Sequence, residues 1–153
     1  MKISEILAPG RISCDIVVNS KKAALETLAG MIAEGDGELT QAEVFESLIA
    51  REKLGSTGLG NGIAIPHGRQ KGSTKTIGAF MRLNTGVSYD AVDQKPVDLL
   101  FALLVPEEST EAHLQILSQL AKLFSDPETL NKFRECESSE QIFALLTNAA
   151  STD

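Results

Sequence analysis

Just ahead of Ile63-Ala-Ile-Pro-His67-Gly68, the glycines Gly55, Gly58, Gly60 and Gly62 fall within eight residues, and this stretch concentrates the chain's capacity for chemistry. Clustered glycine lets a backbone adopt positive φ or approach another group closely. The common nucleotide signatures are missing: no Gly-Lys-Ser/Thr follows, and the G-x-G-x-x-G order is absent. Ser56 does not sit in a G-x-S-x-G elbow either. Pro66 fixes its own φ and pushes Ile65 toward extended geometry, while Ile63 and Ile65 can anchor the segment in a core. His67 is then held out at a defined place, with Gly68 leaving room beside the ring. A histidine satisfied inside a loop is the plain alternative, and the flanking residues argue against it. Neutral imidazole is available near pH 7 and can act as a covalent nucleophile. Phosphoryl transfer would ask for alignment and for donors around three equatorial oxygens. Candidate donors are Arg51, the hydroxyls of Ser56 and Thr57, and backbone N–H groups of the glycine loop, Gly58 included.

The other histidine, His113, is spaced four, seven and eleven residues before Leu117, Leu120 and Phe124, on the apolar stripe of a helix facing a sheet. It also lies in that helix's first turn, where free N–H groups and the dipole favour an anion. The helix follows directly on an apolar strand, a junction where α/β folds commonly place ligands. A core histidine is the plain alternative. The functional reading makes His113 an imidazole that orients His67 or donates to a phosphoryl group.

The elements that must position these residues are legible in outline. Ser20 precedes a helical pattern through Ala24, Leu25, Leu28, Ile32 and Ala33 that stops near Gly35 or Gly37. Thr40 and Glu43 have capping-box spacing, predicting a helix to about Lys53 with Arg51 in its last turn. Ile77–Leu83 reads as a strand, and Val97–Val105 as a strand covered on both faces, ended by Pro106. A helix opens around Ser109 or Thr110 and runs to about Phe124. Asp126-Pro127 starts a short helix, and Ser138 with Gln141 caps a last one over Ile142–Thr147. The expected fold is one α/β domain spanning residues 1–153, helices flanking a small central sheet.

Composition narrows the function classes. Hydrophobic residues make up 42 % and charged residues 23 %, ordinary for a soluble globular chain. A net charge of −7 and the absence of Trp work against nucleic acid as a partner. Cys14 and Cys136 are too few and too distant for a disulfide framework or zinc knuckle and read as small, partly buried thiols. The N-terminus MKISEILAPGRIS lacks a signal-peptide core, and the longest apolar run, Leu99–Val105, is far short of a bilayer span. A cytoplasmic location without membrane insertion is the default expectation.

The run REKLGSTGLGNGIAIPHGR strongly resembles the active-site signature of the fructose/mannitol/nitrogen-regulatory class of enzyme IIA in the bacterial phosphoenolpyruvate:sugar phosphotransferase system. VDLLFALLVP followed by His113 resembles that family's second landmark, and the similarity covers essentially the whole chain. GSTG with PHGR in a free-standing chain is most similar to the nitrogen-regulatory type. The resemblance implies an α/β sandwich with a mixed sheet. It implies that His67 takes a phosphoryl group on Nε2 from the phosphohistidine of an HPr-like carrier, that Arg51 and Thr57 help hold it, and that His113 supports the site. The implied output is regulation of target proteins according to phosphorylation. The alternative is a sugar-type component passing the group to a permease IIB domain. No cofactor is called for. A metal-dependent hydrolase lacks an H-E-x-x-H or comparable spacing at either histidine, so no metal is expected. A non-covalent module binding an anion or a protein would share the glycine loop without needing the imidazole. Phe45, Leu59 and Ile63 are candidates for a carrier-docking surface.

Overall fold

A computed structural model describes residues 2–73, 75–108 and 110–151. Its sheet is built on the longest apolar runs of the sequence. β5 (Ile77–Val87) and β6 (Val97–Pro106) pair antiparallel as the central ribbon. β1 (Ile12–Ile16) lies parallel to β5. On the other side of β6, β3 (Ile63–Ala64) and β4 (His67–Gln70) both run parallel to it, one after the other. β2 (Gly58–Gly60) closes antiparallel on β3, giving the order β1-β5-β6-β3-β2 with β4 also on β6. The sheet is therefore mixed, as the resemblance implies.

Alternation along β6 explains why it reads as continuously apolar. Leu99, Phe101, Leu103 and Val105 enter one core, and Leu100, Ala102 and Leu104 enter the other. The second core is covered by α2 (Lys21–Glu34), whose Ala24, Leu28 and Ile32 are buried there, and by Val44 and Leu48 of α3 (Gln41–Glu52). The first takes Ile116, Leu120 and Phe124 from α4 (Thr110–Leu123) and its end, with residues of α5 (Pro127–Glu135), α6 (Ser139–Ser151) and the short α1 (Ile3–Ile6). Helices on both faces of a sheet make the expected α/β sandwich.

The caps follow the sequence closely. Ser20 accepts the Ala23 N–H, and Thr40 with Glu43 forms the reciprocal box at α3. Asp126 caps α5, with Pro127 at its first position. At α4 the structure begins with Thr110, and Ser109 lies outside the described residues. The box anticipated at α6 is half made: Ser138 Oγ accepts the Gln141 N–H at 3.2 Å, but Gln141 Oε1 accepts the Glu137 N–H instead. α6 starts three residues earlier than Ile142, at Ser139, and runs past Thr147 to Ser151. β5 likewise continues beyond Leu83 to Val87, through a register irregularity against β6.

Candidate active site

β3 and β4 are one extended stretch interrupted at Ile65-Pro66. Pro66 has no N–H to give a ladder, yet its carbonyl accepts the Leu103 N–H at 2.9 Å, so the stretch stays beside β6 across the break. Ile63 and Ile65 are buried in the first core and fix the segment as expected. His67 follows at the next position on that side and meets α4: its ring lies 5.2 Å from that of His113, at an interplanar angle of 75°. Gly68 turns to the other face, where a Cβ would come within 2.7 Å of the Ser47 carbonyl oxygen of α3. Glycine is needed there because helix backbone passes against the strand, and that contact brings Arg51 beside His67. The site thus forms at the free edge of the sheet, between helices from its two faces.

The half-buried His67 ring presents one nitrogen with a fixed role. Its Nδ1 lies 2.8 Å from the Ile65 carbonyl oxygen, which can only accept, so Nδ1 carries the proton and Nε2 keeps its lone pair. Burial lowers the His67 pKa from 6.5, with Arg51 and Arg69 adding to the effect while the Ile65 carbonyl and Glu52 oppose it. The ring is neutral at pH 7 as a result. His113 is buried, and burial together with His67 and Arg69 brings its pKa down to about 4. Its Nδ1 has no hydrogen-bond partner among the described residues.

A cleft of about 640 Å³ opens over these rings. His67 and Arg69 form its floor, Arg51 and Leu54 one wall, and His113 with Leu114 the other. The Arg51 guanidinium is braced by the Gly55 carbonyl at 2.8 Å. Leu54 and Leu114 are 83 % and 61 % exposed at the rim. Of the candidates for a carrier-docking surface, Ile63 is fully buried, and Phe45 and Leu59 do not line this cleft.

Three of the anticipated phosphate donors face elsewhere. Thr57 is buried, and its hydroxyl donates to Glu52 at 2.7 Å beside the Tyr89 hydroxyl. Ser56 Oγ donates to the Tyr89 carbonyl at 2.9 Å and accepts the Gly58 N–H at 3.1 Å. Ser56, Thr57 and Gly58 therefore hold the loop together and do not line the cleft. Arg69 does line it, although it is not among the anticipated donors. Its signal was there: in an extended segment, residues two apart share a side, and Arg69 is two beyond His67.

The residues that meet here set an imidazole with an open Nε2 beside two guanidinium groups and an apolar rim, an arrangement suited to moving a phosphoryl group between proteins. The family model described as "Phosphoenolpyruvate-dependent sugar phosphotransferase system, EIIA 2" matches residues 5–149. This chain belongs to that family. A nitrogen regulatory protein of Pseudomonas aeruginosa is 42 % identical over 148 residues, covering 97 % of this chain and 96 % of its own length. The crystal structure of nitrogen regulatory protein IIA-Ntr from Neisseria meningitidis superposes with a TM-score of 0.90 at 47 % identity, covering 95 % of this chain and 99 % of that one. A fructose-specific EIIA component of Haloferax volcanii is 34 % identical, covering 92 % of this chain and 91 % of its own length. The chain is accordingly a phosphotransfer component of the phosphotransferase system. Among the described residues, no three His, Cys, Asp or Glu side chains come together as a metal site, and no helix is long and apolar enough to cross a membrane.

Proposed function

We propose that His67 is the phosphoryl acceptor and that the group is carried on Nε2. The observation that carries this reading is the Nδ1–Ile65 carbonyl contact at 2.8 Å, which leaves Nε2 as the nucleophilic nitrogen of a neutral ring. An HPr-like carrier supplies the group from its own phosphohistidine. The bond from His67 Nε2 to phosphorus forms as the donor's nitrogen–phosphorus bond breaks, with the three oxygens transferred intact. Arg51 and Arg69 meet the charge on those oxygens, and His113, neutral at physiological pH, packs against the acceptor ring and fixes its position. Leu54 and Leu114 give the donor an apolar collar that excludes water from the reacting nitrogen.

The output we propose is regulatory, with the phosphorylated and unphosphorylated forms of one cytoplasmic domain acting differently on target proteins. Support comes from the names and identities of the Pseudomonas and Neisseria relatives. Phosphorus NMR of the phosphorylated chain separates Nε2- from Nδ1-phosphohistidine, and the Nε2 signature is expected. An Nδ1 signature would overturn the site reading. Faster loading from a nitrogen-type carrier than from a sugar-type one, with no transfer onward to a IIB domain, is the result expected of a regulatory protein. Rapid transfer to IIB would make it a sugar-type component.

A further inference from the structure

Glu52 is a carboxylate with 2 % of its side chain exposed, adjacent in sequence to Arg51 but turned inward. A buried carboxylate is costly unless donors and a counter-charge meet it. Here Thr57 supplies its backbone N–H to both oxygens, at 3.1 and 3.0 Å, and its hydroxyl at 2.7 Å. Lys21 of α2 stands 3.6 Å away. The N–H contact begins a series. The carbonyl of Thr57 accepts the Ile65 N–H at 3.1 Å, and the carbonyl of Ile65 accepts Nδ1–H of His67 at 2.8 Å. From Glu52 to the His67 ring, the contacts pass residue to residue through the main chain of Thr57 and Ile65.

We propose that Glu52 is a positioning residue for His67, acting through its hold on the main chain of Thr57, which in turn holds Ile65 beneath the ring. Its hold on Thr57 keeps the Ile65 segment in place, so that the Ile65 carbonyl selects the Nδ1–H tautomer, and its negative charge acts through space on the ring, against Arg51 and Arg69. Glu52 also fixes the loop whose Gly55 carbonyl braces Arg51, so one carboxylate sets both the nucleophile and its neighbouring cation. The charged and titratable groups facing His67 are Arg51, Glu52 and Glu46 on α3, Arg69 on β4 and His113 on α4. Glu52 opposes the two arginines, and Glu46 lines the cleft wall without a place in the series.

The inference rests on the reading of His67 as acceptor only for its effect on rate; its effect on the ring is measured without any phosphoryl donor. In Glu52→Gln, NMR titration of the histidine rings should show the His67 pKa lower than in wild type by roughly half a pH unit, as expected for loss of one charge in a partly screened site. Transfer from the carrier should slow by roughly tenfold, the size often lost when the group behind an imidazole is removed. Thr57→Val keeps the N–H donor and the Glu52 charge, so it should titrate as wild type. An unchanged His67 pKa in Glu52→Gln would overturn the proposal. So would an equal shift in Thr57→Val, which would assign the effect to a loosened loop. Should Glu52→Gln not fold, the wild type still decides: its neutral His67 ring must be the Nδ1–H tautomer, and finding Nε2–H would break the series. A wild type with the expected tautomer that accepts no phosphoryl group would instead count against the carrier reading alone.

Discussion

His67 differs from an ordinary surface histidine in having one nitrogen committed to a carbonyl and a ring held neutral by burial and by two guanidinium groups. Because its pKa lies below 6.5, acceptance of a phosphoryl group should be steady near pH 7 and fall only as the ring protonates in more acidic solution. Initial transfer rates across that range check this, and a rate that rises on acidification would contradict it. Arg51→Lys should slow transfer about tenfold or more, since a point charge cannot reproduce the guanidinium fork. Ser56→Ala should leave transfer nearly intact and cost about 1 kcal/mol of stability, because its hydroxyl serves the Tyr89 carbonyl and the Gly58 N–H. At this scale the sequence pointed to His67, Arg51 and His113, and the fold brings all three to one cleft, because their placement depends on local stiffness and helix phase. It misdirected on Ser56 and Thr57 because a hydroxyl's direction is set by its partner, and Tyr89 lies 32 residues beyond Thr57.

The broken strand and the two helices flanking it convert those residues into a site. Gly68→Ala would drive a Cβ into the Ser47 carbonyl at 2.7 Å, against backbone that cannot rotate away. The expected outcome is a loss of about 1–3 kcal/mol together with slowed transfer, since α3 must retreat and take Arg51 with it. Thr40→Ala should cost about 1 kcal/mol by opening the capping box at the far end of α3, with transfer nearly unchanged. Urea unfolding with parallel transfer assays separates these two results. The long helices and the two central strands were legible because periodicity, caps and apolar runs are local signals. β2, β3 and β4 carry no such local signal. They are two to four residues long, and only pairing with β6 and with each other makes them strands. β1 lacks such a signal too; its polar Ser13 and Asp15, the latter at positive φ, conceal a strand that pairs with β5.

Across the whole molecule, two buried polar features tie distant parts of the chain together. Arg82 of β5 donates to the carbonyls of Phe133 and Cys136 at the end of α5 and reaches Asp15 of β1 at 3.3 Å. Arg82→Met should cost about 3 kcal/mol by leaving those carbonyls unpartnered, readable as a lower unfolding midpoint. His113 couples fold and site to pH. Its folded pKa of about 4 lies below 6.5, so the unfolded chain binds its proton first; stability is whole above 6.5 and declines as pH falls toward 4. His113→Gln should flatten that decline in an acid titration of thermal stability, whereas an unchanged slope would show that other groups govern it. The α/β layers follow from the sequence, but the meeting of Arg69 with His113 and the link from Glu52 through Thr57 and Ile65 to the His67 ring are properties of the assembled sheet edge. The most direct measurement is intact mass after incubation with phosphoenolpyruvate, enzyme I and an HPr-type carrier, for wild type and His67→Ala. One acid-labile phosphoryl group on the wild type, and none on the variant, is the predicted result; equal labelling of a folded His67→Ala chain, or no labelling of wild type by either carrier class, would contradict it.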